Sequence, residues 1–160
     1  MTKKKRFANI EVVPATPDHI EPIAKRMRKA DRDEVWAASN KTPSEALWFS
    51  YGRSELRMTA LMDGKPELMF GVGDLNVLTK AGAPWLLGTK ALEKNYIGFL
   101  RHSVEWRDHC RERYSVLRNF VDVRNKASVR WLRWLGFELT GPFDMNGHDF
   151  YFFEMRSKDV

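Results

Sequence analysis

Four histidines, one cysteine and a scatter of amides, lysines and carboxylates are the chemical stock of this 160-residue chain. Their positions narrow what that stock can do. Asn125 stands where a run of strand formers, 116–123, gives way to Lys126-Ala127-Ser128. An amide at such a corner can hydrogen-bond a ligand, or it can cap the helix that follows, a position Asn favours. Both roles stay open for Asn125. Upstream, Lys90, Lys94 and Asn95 lie in the link between a short strand and the longest helix. Unpaired amides and the dipole at a helix N-terminus favour an anion there. The two lysines would add charge to it or stand as ordinary solvated loop residues, and Asn95 would cap the helix. For proton transfer, Asp74 follows Gly71-Val72-Gly73 and offers a carboxylate, while His148 opens a strand beside Asp149. Imidazole titrates near neutrality. His102 and His109 share the polar face of one helix and read as solvated. His109-Cys110 lacks the second ligand pair that a metal site requires.

The elements that must position these groups follow from period and punctuation. A strand is expected over 7–13, weighted by Ile10, Val12 and Val13. Thr16-Pro17-Asp18 signals a helix start. Ile20, Ile23, Ala24 and Met27 supply its apolar face, with Lys25, Arg26, Arg28 and Lys29 largely on the others. Thr42-Pro43-Ser44-Glu45 is a capping box that opens a second helix, running to about Gly52. A hairpin then spans 55–62 and 67–78 about Asp63-Gly64. Gly71 and Gly73 interrupt its second arm, as at a bulge or a close backbone approach. A short strand over 84–88 precedes a helix over 95–114, then a strand over 116–123, a helix over 126–135, and a last hairpin of 137–142 and 148–155 turned at Asn146-Gly147. The order is β-α-α-β-β-β-α-β-α-β-β, an α/β arrangement whose mixed sheet must be covered by helices.

Composition bounds the rest. Hydrophobic residues make up 43% and charged residues 30%, the mix of a folded globular chain. A single cysteine, Cys110, excludes an internal disulfide framework and suits a reducing compartment. No apolar run approaches the roughly 18 residues of a membrane span. The net charge is +6, and Lys3-Lys4-Lys5-Arg6 carry most of it. A basic tail over 1–6 and one domain over 7–160 are therefore expected, the tail reading as a solvated terminus. No apolar segment follows it, as a secretory signal would need. Lys126, Arg130 and Arg133 form a basic stripe on one helix beside Trp131 and Trp134. Cations and indoles together suit nucleic acid, but tryptophans packed on a sheet with arginines in water is the preferred reading.

The stretch 118–137 and the element order resemble the GNAT (GCN5-related N-acetyltransferase) fold. Within it, the segment 99–155 resembles small tailed-phage proteins of GNAT type, among them the internal virion (core) protein of podoviruses. The residues that carry this are Trp106-Arg107-Asp108, Arg113-Tyr114, Asn119-Phe120-Val121, Asn125, Ser128, Phe137 and Phe150-Tyr151-Phe152-Phe153. The resemblance implies acetyl transfer from acetyl-CoA to an amine on a small-molecule or protein acceptor. It implies cofactor contacts from Leu87, Gly88, Thr89, Lys90, Lys94, Asn95, Asn125 and Ser128, with a location in the host cytoplasm or the virion interior. It further offers a non-enzymatic role, a GNAT scaffold kept for virion assembly or for contact with a phage or host protein. Two positions depart from the family pattern. The loop that commonly reads Gln/Arg-x-x-Gly-x-Gly/Ala retains only Gly98, and Leu132 stands where many members place a tyrosine acid.

Overall fold

The computed structural model describes residues 8–157. The basic tail over 1–6 and the first residue of the expected 7–13 strand lie outside them. The chain runs β1 (Ile10–Pro14), a 3-10 turn (Pro17–His19), α1 (Ile20–Lys25), α2 (Lys29–Ser39), α3 (Pro43–Arg53), β2 (Ser54–Met62), β3 (Lys65–Asn76) and β4 (Ala81–Gly88). It continues with α4 (Ala91–Lys94), α5 (Tyr96–Arg113), β5 (Val116–Asp122), α6 (Lys126–Leu135), β6 (Glu138–Met145) and β7 (His148–Arg156). The strands form one sheet in the order β1-β2-β3-β4-β5-β7-β6, the mixed α/β architecture that the element order implied.

Side chains alternate across a strand, and this alternation builds two helical layers. Met69 and Leu87 face one side and pack with Ile20 and Ile23 of α1 and Leu47 of α3. Leu68 and Phe70 face the other and meet Phe99 of α5. Leu117, Val121 and Phe153 continue that second face under Val129, Leu132 and Leu135 of α6. Those three α6 residues fall at i, i+3 and i+6, and burying each contributes about 1.5–3 kcal/mol.

Local signals worked where they were strongest. The Thr42 hydroxyl accepts the Glu45 amide at 3.2 Å, and the Glu45 carboxylate accepts the Thr42 amide at 3.2 Å. Both hairpins turn through positive φ at the expected pairs, 49° and 80° at Asp63-Gly64 and 54° and 80° at Asn146-Gly147. At Gly71 the close-approach reading applies, because a Cβ there would strike the Leu56 carbonyl oxygen. The register shift lies across from Gly73, between Ser54 and Leu56 of β2.

Helix α2 (Lys29–Ser39) and the short α4 (Ala91–Lys94) were not anticipated from the sequence, and two of the anticipated elements differ from the reading by period. The first helix was expected to carry Arg28 and Lys29, but it ends at Lys25. Met27 instead forms a bridge with Thr89, and the Arg28 amide donates to the Gly88 carbonyl at 2.9 Å. This pairing pulls residues 26–28 out of the helix and turns Arg28 inward, where it is 4% exposed. The second difference is the start of β4, which begins at Ala81 and not at residue 84. Ala81-Gly82-Ala83 has little strand propensity and is held by β3 through Asn76, Asp74 and Gly73.

β4 and β5 are parallel but pair only at Ala81–Val116 and Gly82–Leu117. Beyond that point β4 follows β3 to Gly88 and β5 follows β7 to Asp122, and the two strands diverge.

Candidate functional site

The divergence opens a cleft of about 370 Å³ that passes through the sheet. Its walls come from β4 (Ala83 to Leu87), from β5 and from the aromatic side chains Phe99, Trp106 and Trp131 on the α5–α6 side. On the opposite side Glu34, Val35, Lys41, Phe49 and Arg53 form its mouth.

Parting two strands leaves backbone groups without ladder partners, and buried groups of that kind must be satisfied. Here side chains satisfy several of them, and backbone amides from outside the sheet satisfy others. The Asn119 amide spans the gap, accepting from the Phe120 amide at 2.8 Å and donating to the Pro84 carbonyl at 3.0 Å. Glu34 accepts from the Asp122 amide at 2.7 Å. The Gly88 amide donates to Asp31 at 3.0 Å, and the Gly88 carbonyl is taken by Arg28. Alternation along β4 puts Leu86 between Pro84 and Gly88 on this edge, and among the described residues no side chain bonds to its amide or carbonyl.

The wide end of the cleft is closed by a polar cluster. One Arg28 nitrogen, Nη2, donates to Asp31 and Asn125 at 2.9 Å each and to Ser128 at 3.0 Å. Asn125 also donates to Asp31 at 3.1 Å and to Glu34 at 3.4 Å. Asp31 is 0% exposed and Asn125 1%. Truncating one member of such a buried pair costs about 3–5 kcal/mol, because the other charge is left uncompensated. Glu34 sits where this cluster meets the cleft. Burial, followed by the neighbouring Asp31 charge, raises its carboxyl to about 8, while the hydrogen bonds from Asp122 and Asn125 pull the other way. A carboxyl tuned to that range can hold or take a proton near neutrality.

The expected site residues divide accordingly. Ser128 lines the cleft, whereas Asn125 lies behind it, its side chain making no helix cap and fully engaged in the polar cluster. Leu87 is a core residue of the α1–α3 side. Gly88 and Thr89 are buried, and Thr89 spends its amide on the Glu67 carbonyl at 2.9 Å and its hydroxyl on the Glu67 carboxylate. Lys90 and Lys94 are exposed. Asn95 was expected to cap α5, yet its side chain accepts from the Ala8 amide at 3.0 Å and donates to Ala91 at 2.9 Å. Gly98 is small because Ile10 packs on it, 3.0 Å from where a Cβ would be.

The two candidate bases lie off the cleft. Asp74 is level with Gly82, at the end where β4 and β5 still pair, and accepts from the Tyr114 hydroxyl at 2.5 Å. Burial first, and then that bond, push the Tyr114 phenol well above its usual range, so it stays a donor. His148 is exposed at the β6–β7 turn, because the strand emerges from the sheet there. On α6, Trp131 is packed as expected but Trp134 is 52% exposed, since the helix presents it on the side away from the sheet.

The residues that sequence reading missed are Glu34, Asp31, Arg28 and Asn119. The one available signal was the i, i+3 spacing of Asp31 and Glu34 with Ala37 three further on, which shares a helix face.

Comparison with solved structures identifies the class of fold. The spermidine N-acetyltransferase of Vibrio cholerae, solved with CoA and spermine, shares 15% identity over 92% of this chain and 95% of its own, at a TM-score of 0.66. YncA of Salmonella typhimurium, a putative acetyltransferase solved with acetyl-CoA, shares 16% over 96% of each chain at 0.71. The ribosomal-protein-S5-alanine acetyltransferase of Vibrio fischeri shares 14% over 96% of each chain at 0.65. The chain thus has the fold of the GNAT acetyltransferases. A family described as bacteriophage T7, probable scaffold protein Gp13, matches residues 79–143, and no curated protein matches the chain.

Proposed function

We propose that the chain is an N-acyltransferase that accepts an acyl group from an acetyl-CoA-type thioester and passes it to an amine. The observation that carries this reading is the cleft at the β4–β5 divergence with Glu34 at its wide end. The residues present fit the thioester arm of such a donor. The free Leu86 rung can pair with an amide, and Phe99, Trp106 and Trp131 offer an apolar wall. Bound there, the thioester supplies an acyl carbon open to attack by a neutral amine. Glu34 in its carboxylate form takes the proton from an incoming ammonium. Its raised pKa leaves it able to hold that proton near neutral pH. Leu132 is buried in the apolar core and cannot protonate the departing thiolate, which takes its proton from water.

The mouth on the α2–α3 side bears on the acceptor. The Lys41 ammonium lies 4.6 Å and the Arg53 guanidinium 5.4 Å from the Phe49 ring centroid, and neither forms an ion pair among the described residues. Two such cations oppose a polyamine and favour an acceptor with an anionic group beside its amine. Acetyl-CoA should raise the melting temperature by ligand linkage, and carboxylate-bearing amines should be acetylated in preference to spermine. No thermal shift at millimolar acetyl-CoA would overturn the reading.

A second reading has its own support in the match to the phage scaffold family over residues 79–143. In it, the fold serves as an internal virion or host-contact component of phage origin, and the filled polar cluster is structural. This reading expects the chain among the proteins of purified particles of its phage, and its absence there would count against it.

A further inference from the structure

We propose that this chain pairs with a second copy of itself through the uncovered face of β5, β7 and β6. The apolar cluster beneath α1 and α3 draws its strand residues from β3 and β4 and none from these three strands. Their face on that side is therefore left open beyond the end of α2. Cross-strand partners share a face, so the register gives its rows. Phe120, Phe152 and Thr140 form one row, and Arg118, Glu154 and Glu138 form the next. Phe143, opposite Phe150, belongs to the same face. Phe120 is 40% and Phe143 51% exposed, and the Phe120 and Phe152 ring centroids lie 5.4 Å apart. Aromatic rings gathered in water and rimmed by charge mark a surface that another molecule covers.

The charges around the rings identify the occupant. The chain as a whole carries +6, yet on this face Arg118 and Arg156 are matched by Glu138 and Glu154. Such a face neither draws an acidic partner nor repels its own image. Arg156 pairs with Glu154 at 3.1 Å. Arg118 on β5 and Glu138 on β6 form no ion pair among the described residues. β7 runs midway between them, about 5 Å from each strand. A two-fold axis parallel to β7, between two such faces, carries each Arg118 over the Glu138 of the other copy and Phe152 over its own image. Sheets packed face to face in this way keep their strands nearly aligned. α1 and α3 sit on the β2–β3 half of the sheet, so the rotation sends those of the second copy beyond β6 of the first, clear of collision. Phe120 also lines the cleft, so the second copy borders the entrance to the site.

Three strands of seven, eight and nine residues make a small interface, and small interfaces are weak. Sedimentation velocity of the full chain across about 5–500 µM should therefore show a monomer–dimer equilibrium with a dissociation constant of about 10–100 µM. Arg118→Glu and Glu138→Arg each set like charges face to face, and each should weaken self-association by about tenfold or more. Mixed in equal amounts, the two variants should recover the wild-type constant, because a heterodimer of them restores both opposite-charge contacts. A change in the fold of either variant could not produce that recovery. A wild-type chain still monomeric at the top of the range would assign the face to a different protein and overturn the proposal. Variants that self-associate as tightly as wild type, or a mixture no tighter than either variant alone, would overturn it as well.

Discussion

Glu34 is the residue on which catalysis by this chain would turn. Its carboxyl titrates near 8 because burial and Asp31 oppose its charge, so the base form gains population as pH rises through that value. Transfer by the wild-type protein should therefore increase from pH 6.5 to 9 and level off above. Glu34→Gln keeps the bond from the Asp122 amide but cannot take a proton. It should lower kcat by about 10²–10⁴ and abolish the rise in the pH–rate profile, while acetyl-CoA binding stays unchanged. A variant with undiminished kcat would remove Glu34 from the mechanism. None of this could be read from residue type, since Glu34 is one of 21 acidic residues. What distinguishes it are partners at positions 122 and 125, about 90 residues away in sequence. The same holds for Arg28, which helical spacing assigned to a wet face and which pairing with β4 turned inward.

At the scale of elements, the last residue of β4 that pairs with β5, Gly82, is tightly packed. A Cβ there would lie 2.8 Å from Tyr114 Cδ1 and closer still to Val72 Cγ1. Gly82→Ala should cost about 1–3 kcal/mol by overpacking, read as a lower urea midpoint at unchanged m-value. A wild-type midpoint would mean that the α5–β5 corner has slack to yield. Elements whose ends are written locally were legible from sequence. The Thr42 capping box, the two hairpin turns and α6 over Lys126–Leu135 all stand where their residues put them. Elements defined by distant pairing were not. The break after α1 depends on Thr89, the early start of β4 depends on β3, and Asn125 gives up its capping role to bind residues of α2.

The molecule as a whole carries the cost of keeping a carboxyl at this site. Glu34 has an ordinary value near 4.5 when exposed and about 8 when folded. Between these values the folded chain holds a proton that the unfolded chain releases. Stability from this group is complete below about pH 4.5 and is lost as pH rises through 8. The melting temperature of Glu34→Gln relative to wild type should accordingly improve steadily from pH 5 to pH 8.5. A pH-independent difference would show that Glu34 titrates normally. The divergent strands have one more consequence, which concerns neighbouring molecules and not ligands. A parted sheet exposes two internal edges, and bare edges template the addition of foreign strands. Asn119 and Glu34 occupy the β5 amides, while Asn119, Asp31 and Arg28 take all of the β4 edge except the Leu86 rung. An invading strand needs several consecutive rungs, and among the described residues only Leu86 offers it both an amide and a carbonyl, so the chain can keep an opening in its sheet and resist aggregation through it.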